Sequence, residues 1–208
     1  MRGSLIVLLL FITGIVAGIA GLNDAISLPA ELTEWLLYAL VIQIGVSLGA
    51  NSKTGEIIRQ INRRTLLLPL LTVTGTLAAT FVIALLCRGW GINDYLAIGS
   101  GLGYYSLSSV IIVDIKNELI GLDAATQLGA LAVMTNIIRE MTALACGPLL
   151  SKHFGAYTAI SAAGVTSMDV TLPMIIRVGG RKLAPVAMIH GLVLEFSVPL
   201  LVTLFAGL

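Results

Sequence analysis

The sequence predicts an all-α polytopic membrane protein with about seven transmembrane segments, two of them interrupted. Of its 208 residues, 57% are hydrophobic, and the mean hydropathy is +1.00. Only 11% are charged, against roughly a quarter in a typical soluble domain. The apolar residues fall into runs close to the ~20 residues that a helix needs to cross a bilayer. A net charge of +1 gives no electrostatic case for nucleic-acid binding.

A single transmembrane domain, 1–208, accounts for these runs. The first run follows a short basic start and could be read as a signal peptide. Its length and the spans that follow it favour a membrane-spanning helix. The candidate spans are 4–22, 32–50, 65–87, 95–113, 124–150, 156–176 and 183–208.

The basic residues predict the orientation, because cytoplasmic loops are enriched in Lys and Arg. Seven crossings from a cytoplasmic N-terminus place nine basic residues inside and two outside, with the C-terminus outside. The inside set is Arg2, Lys53, Arg59, Arg63, Arg64, Lys116, Arg177, Arg181 and Lys182, and the outside set is Arg88 and Lys152.

The fourth candidate span, 95–113, is a poor continuous helix. It contains Gly99, Gly101 and Gly103, followed by a run rich in hydroxyl side chains. Each glycine costs about 1 kcal/mol relative to alanine in a helix, and hydroxyls compete for backbone partners. We therefore predict a break in this span.

The sixth candidate span, 156–176, is also expected to break. Pro173 removes the hydrogen bond to the carbonyl of Asp169 and clashes one turn back. Non-helical backbone at membrane depth is tolerated where protein covers it or water fills a cavity. Such interrupted spans are a typical sign of the binding site of a transporter.

The fifth span, 124–150, carries polar residues at its centre: Asn136, Arg139 and Glu140. A charge there costs about 2.5–3.5 kcal/mol on insertion scales. Asn136 and Glu140 are four residues apart and share one helix face, whereas Arg139 points elsewhere. Burial disfavours the charged form of a carboxyl group, so Glu140 could exchange a proton or hold a cation. The alternative is a structural role, with Arg139 paired to an acid on a neighbouring helix.

Asp169 follows Thr166 and Ser167 in the interrupted sixth span. These residue types are favoured at helix N-termini, so they could simply cap a half-helix. Such an N-terminus also suits a substrate carboxylate, and the two roles are compatible.

Further candidate polar residues lie in the fourth and last spans. Those in the fourth are Tyr105, Ser106 and Ser108, and those in the last are His190 and Glu195. His190 is equally consistent with packing and with proton relay. The three acids that flank Lys116 after the fourth span are interpreted as solvated loop charges: Asp114, Glu118 and Asp123.

No nucleophile motif, zinc-protease motif or cofactor fingerprint is present in the sequence. The spacing of Gly99, Gly101 and Gly103 differs from a dinucleotide fingerprint, and no strand precedes it. The two cysteines, Cys87 and Cys146, have no metal-ligand spacing and are interpreted as packing residues. We therefore predict a protein that is not an enzyme and that needs no cofactor.

Four stretches together resemble the bacterial lysine exporter family, LysO. They are 99–108 (GSGLGYYSLS), 136–140 (NIIRE), 164–173 (GVTSMDVTLP) and 190–191 (HG). The resemblance implies export of L-lysine and analogues such as thialysine across the inner membrane by proton antiport. It also implies a fold similar to that of cation/proton antiporters. The required intramembrane acid of the family falls on Glu140, and its Thr-Ser-Met-Asp motif on 166–169.

The resemblance covers the C-terminal portion of full-length members, which have a further N-terminal membrane region. It therefore implies one half of a split transporter, completed by a partner subunit or by a homo-oligomer. Glu195 departs from the family pattern and could supply a second carboxyl or bind a neighbouring cation. Two alternatives stay open: a non-transporting scaffold or regulatory subunit, and an exporter of another cationic amino acid or diamine.

Overall fold

The computed structural model describes residues 63–87 and 89–208, with the single positions 13, 16, 17, 19, 20 and 46. The first two candidate spans, 4–22 and 32–50, lie outside the described residues apart from those positions. In the described ranges all regular structure is helical, as the sequence predicts. The helices are α1 Arg63–Leu86, α2 Ile92–Gly99, α3 Tyr105–Ile120, α4 Leu122–Phe154, α5 Tyr157–Ala163, α6 Leu172–Gly179 and α7 Ala184–Ala206.

Three of these helices are long and apolar enough to cross a membrane. They are α1, α4 and α7, with candidate spans at Leu66–Leu86, Leu122–Phe154 and Arg181–Ala206. The third, fifth and seventh sequence segments fall on them. The proline of α1, Pro69, lies inside its helix. We treat α1, α4 and α7 as the membrane-spanning frame of the described region.

The fourth segment breaks at its glycines, and it also turns back on itself. α2 ends at Gly99 and α3 begins at Tyr105. The Lys116 ammonium lies 2.8 Å from the Asp94 carboxylate, and both side chains are largely buried. In a straight helix these residues would be about 33 Å apart, at 1.5 Å per residue. The fourth segment is therefore a helical hairpin (hairpin 1), not one interrupted crossing helix as expected.

The sixth segment forms a second hairpin (hairpin 2) from α5 and α6. Between them lie a 3₁₀ turn, Gly164–Met168, and residues 169–171. Gly147 of α4 packs against Met174 of α6 and Ala159 of α5 at the same level. A β-carbon on Gly179, at the end of α6, would lie 3.1 Å from that of Ala156, just before α5. Pro173 occupies the first turn of α6, where its missing N–H is not needed.

This folding moves two charges relative to the expected topology. Lys152 at the end of α4 lies at the same end of the bundle as Arg177 and Arg181, because α5 and α6 return to it. We call this the basic end. Lys116 lies at the opposite end, where it is paired with Asp94 and buried. Its neighbours Asp114, Glu118 and Asp123 are exposed.

The two hairpins enter from opposite ends, and their tips meet between α4 and α7. Tip 1 is residues 100–104 and tip 2 is residues 164–171. The amide of Val165 donates to the carbonyl of Leu102 at 2.9 Å. A β-carbon on Gly164 would lie 2.1 Å from the same carbonyl oxygen. Glycine is therefore required where the two backbones cross.

Cross-linking tests the course of hairpin 2. In a background without Cys87 and Cys146, the pair Ala156→Cys and Gly179→Cys should form a disulfide on mild oxidation. The β-carbons would lie 3.1 Å apart, near the roughly 3.5–4.5 Å that a disulfide spans. The control pair, Ala156→Cys with Leu172→Cys, joins opposite ends of the hairpin and should stay reduced. A test pair that stays reduced under the same oxidation would show that α6 does not turn back.

Alanine substitution of two glycines tests the contact between the tips. Gly164 and Gly155 both have a positive φ, of 66° and 93°, but an added β-carbon at Gly155 meets nothing within 4 Å. Gly155→Ala should therefore lower the free energy of unfolding by about 1–3 kcal/mol, from strain alone. Gly164→Ala should lower the free energy of unfolding by about 1–3 kcal/mol more than Gly155→Ala, because its β-carbon also overlaps the backbone of tip 1. Equal thermal unfolding temperatures in detergent for the two variants would contradict the contact.

Candidate functional site

Asn136 of α4 holds tip 1 in its non-helical course. Its side-chain oxygen accepts a hydrogen bond from the Gly103 amide at 2.7 Å, and its amide donates to the carbonyl of Ala132 at 2.8 Å. Only 2% of its surface is exposed. Buried backbone N–H groups need a partner, and the break in hairpin 1 leaves this one without its helical acceptor. Asn136 therefore supplies the hydrogen-bond acceptor that the Gly103 amide lacks at the break.

Arg139 performs the matching task for hairpin 2. Its guanidinium donates to the carbonyls of Ser161 and Ala162, each at 3.1 Å, and to the Thr76 hydroxyl at 3.3 Å. Both carbonyls belong to the last turn of α5, where helical acceptors have no donor of their own. A positive group also suits the negative end of a helix dipole. Arg139 thus caps α5, and the ion pairs of the described residues do not include one between Arg139 and an acid.

Three of the predicted site residues, Glu140, Asp169 and Tyr105, face one region. Glu140 lies one turn beyond Asn136 on α4 and is 2% exposed. Asp169 lies in tip 2 and is exposed. Tyr105, at the start of α3, interacts electrostatically with both carboxyl groups. The structure therefore brings residues from α4, tip 2 and hairpin 1 to a common polar region.

Glu195 of α7 extends this region on the opposite side. It interacts electrostatically with Asp169, and Tyr104 of tip 1 interacts with both acids. The Oε2 atom of Glu195 is buried and has no hydrogen-bond partner among the described residues. A β-carbon on Gly191 would lie 2.8 Å from Met168 and from the carbonyl of Val165. Because Glu195 is one turn beyond Gly191 on the same face, its carboxyl group is held near tip 2.

The hydroxyls of tip 2 are engaged within the protein. Thr166 donates to the carbonyl of Ala163 at 2.9 Å, and Ser167 donates to that of Ala187 at 3.0 Å. The Ser167 hydroxyl also lies 3.0 Å from Nδ1 of His190. Both residues are buried. They shape the tip and link it to α7, and the side chain of Asp169 is the polar group of tip 2 that is left exposed.

The candidates of hairpin 1 separate into two kinds. Ser108 is buried, and its hydroxyl donates to the carbonyl of Tyr104 at 2.7 Å, so its hydrogen bond is made within α3. Ser106 and Tyr105 are half-buried in the first turn of α3. The N-terminal amides of α3 have no helical acceptor and carry a partial positive charge. This turn can therefore receive an anionic group.

Two residues that hold the surrounding elements together were not identified from the sequence. Thr72 of α1 contacts Ser161 and His190. Asp94 pairs with Lys116 and fixes hairpin 1. Neither residue stands out in its segment, because a threonine in an apolar helix and an acid near a helix end are both common. Three-dimensional contact alone reveals them.

The region contains both acidic side chains and a helix amino end within an otherwise apolar frame. The carboxyl groups of Glu140, Asp169 and Glu195 suit cationic groups, whereas the amino end of α3 suits a carboxylate. Intramembrane acids commonly mark substrate or ion pathways. The arrangement therefore offers partners both for ammonium groups and for a carboxylate.

Comparison with known proteins agrees with this chemistry. The chain is 31% identical to lysine exporter LysO of Escherichia coli over 94% of its own length and 62% of that protein. It is 29% identical to a Haemophilus influenzae protein, described as a candidate lysine exporter, over 89% of each chain. The chain thus spans less than two thirds of the E. coli relative. No solved structure gives a significant match. The family model for lysine exporter LysO matches residues 8–206, and the chain belongs to this family.

Proposed function

We propose that this chain exports L-lysine, and analogues such as thialysine, from the bacterial cytoplasm. The observation that carries the proposal is that two buried polar side chains of α4, Asn136 and Glu140, face the point where the two hairpin tips meet. Polar residues in an apolar membrane frame cost free energy, and they are typical of a transport pathway. The relative in E. coli is named as a lysine exporter, which supports the choice of substrate.

The geometry suggests how lysine would be held. Glu140 and Asp169 would bind the two ammonium groups, because hydrogen bonds that involve charged groups are stronger than those between neutral groups. The first turn of α3, with Ser106 and Tyr105, would receive the carboxylate through free backbone amides. Asn136 and Arg139 would keep the tips in place without contacting the substrate.

Proton antiport is the coupling that we propose for this export. Glu140 would bind either a proton or the substrate ammonium, so that the two cations exclude each other. Alternating access would follow from movement of one hairpin against the α1, α4 and α7 frame. The positive-inside rule would place the basic end, with Lys152 and Arg177, in the cytoplasm of a bacterial inner-membrane protein.

We also propose that a partner subunit or a second copy of this chain completes the transporter. The chain spans 62% of the E. coli relative, which supports an additional membrane region in the working assembly. The exposed apolar side chains of α1, including Leu70 and Leu71, offer a surface for it beside lipid. Affinity purification from the native membrane would show either a second polypeptide or a homo-oligomer, and a purified monomer that exports lysine would contradict this part.

Substitution of Glu140 tests the function. Glu140→Gln keeps the shape of the side chain and removes its charge, so lysine efflux should fall about tenfold to a hundredfold, for the ~1.5–3 kcal/mol of a charged hydrogen bond. The measurement is efflux of labelled lysine and growth on thialysine, at matched protein levels. Glu118→Gln, an exposed acid outside the site, is the control and should retain export.

The opposite results have a clear meaning. Wild-type efflux from Glu140→Gln would remove this residue from the mechanism. No lysine or thialysine export by the wild-type chain, alone or with its co-purifying partner, would favour the scaffold or regulatory role. Export of ornithine, arginine or a diamine in preference to lysine would change the substrate but keep the site.

A further inference from the structure

His190 of α7 lies at the centre of a hydrogen-bonded chain that the lysine site does not use. The ring is fully buried. Its Nε2 lies 2.9 Å from the Thr72 hydroxyl of α1, and its Nδ1 lies 3.0 Å from the Ser167 hydroxyl of tip 2. The Thr72 hydroxyl is in turn 2.7 Å from that of Ser161 on α5. The chain runs Ser161, Thr72, His190, Ser167.

One end of this chain opens to the surface of the described bundle. Thr72 and Ser161 both line a groove of about 490 Å³ between α1, α4 and α5. The other end, Ser167, is buried in tip 2, two residues before Asp169. The four side chains therefore connect an open groove to the hairpin tip that carries a site acid.

Each hydroxyl beside the ring has a second hydrogen-bond partner. Thr72 can donate to the carbonyl of Leu68 at 3.0 Å, and Ser167 can donate to that of Ala187 at 3.0 Å. A hydroxyl has one hydrogen and can also accept, whereas a neutral imidazole has one donor and one acceptor nitrogen. With a protonated ring, both hydroxyls accept from the ring and donate to their carbonyls. With a neutral ring, one hydroxyl turns its hydrogen toward the ring.

The ring can thus gain or lose a proton while its hydrogen bonds stay satisfied. The change requires rotation of hydroxyl hydrogens and no movement of heavier atoms. A site fitted to both charge states is one that a proton carrier needs.

We infer that His190 carries the proton that is exchanged for substrate, through the chain Ser161, Thr72, His190 and Ser167. A proton from groove water enters at Ser161, which releases its own hydrogen to Thr72, and Thr72 releases its own to Nε2. Nε2 then holds the added proton, while Nδ1 keeps its own hydrogen, bonded to the Ser167 hydroxyl. The three hydroxyls end with the number of hydrogens with which they began, and the ring ends with one more.

Charge explains why this proton and lysine would exclude each other. Among the described residues, the charged group that interacts with the ring is the Arg139 guanidinium of α4. The neighbours from α1, α5 and tip 2 are the neutral hydroxyls of Thr72, Ser161 and Ser167. A protonated His190 would add a second positive charge beside Arg139. Cationic lysine would then displace the proton by like-charge repulsion, so this inference rests on the proposed function.

A comparison of two transport modes distinguishes proton carriage by His190 from a structural role of this residue. In proteoliposomes containing the full chain, exchange of lysine for labelled lysine needs no net proton movement, whereas uptake driven by a pH gradient does. His190→Gln cannot carry a proton, so pH-driven uptake should fall about tenfold or more while exchange stays near the wild-type rate. Lysine binding to the purified wild-type protein should release more protons than lysine binding to the variant, which keeps Glu140.

Threonine substitutions provide a second test if His190→Gln does not fold. Thr72→Val keeps the shape and removes the hydroxyl beside Nε2, so it should also reduce pH-driven uptake more than exchange. Thr74→Val is the matched control, since the bonds of the Thr74 hydroxyl to described residues lie within α1, to the carbonyls of Leu70 at 2.9 Å and Leu71 at 3.3 Å. Thr74→Val should leave both modes unchanged.

Three results would overturn the inference or its basis. Equal loss of both modes in a folded His190→Gln or Thr72→Val protein would show a structural role. Wild-type pH-driven uptake and proton release in either variant would remove His190 from proton carriage. Absence of lysine exchange in the wild-type protein would overturn the proposed function itself, which the variants do not address.

Discussion

The contact between the two hairpin tips is the constraint on which the rest of the structure depends. Two segments interrupt their helices at the same depth, and each leaves donors or acceptors without helical partners. One bond, from Val165 to Leu102, joins the tips directly. Two side chains of α4 bond further groups. Asn136 accepts from the Gly103 amide of tip 1, and Arg139 donates to the Ala162 carbonyl at the end of α5. Non-helical backbone at this depth is tolerable because these groups cover it.

This constraint explains why costly residues occupy the centre of α4. Asn136 and Arg139 are structural requirements of the broken hairpins, and they leave Glu140 to face the polar region that the tips enclose. One turn of a single helix thus supports both tips and supplies an acid to the site. Because hairpin 1 and hairpin 2 come from opposite ends of the bundle, movement of either one would expose the region to a different side of the membrane.

Sequence reasoning identified the helical class, the positions of both breaks and the central role of α4, because each has a local cause. Glycines and a proline weaken a helix wherever they occur, and charged residues in an apolar run are conspicuous. It did not identify the direction in which the chain leaves each break. That direction depends on long-range pairs, such as Asp94 with Lys116 and Ala156 with Gly179. The role of Arg139 was likewise hidden, since its partners are backbone carbonyls that a sequence does not show.

The central claim is that lysine binds where the two tips meet α4. The most direct measurement is the reaction of a thiol reagent with Ser106→Cys, at the start of α3, in a background without Cys87 and Cys146. Lysine should slow labelling of this cysteine in membranes, and leucine should not. The control, Glu118→Cys at an exposed position, should be labelled equally with or without lysine. Labelling of Ser106→Cys that lysine leaves unchanged, in a protein shown to bind lysine, would contradict the account.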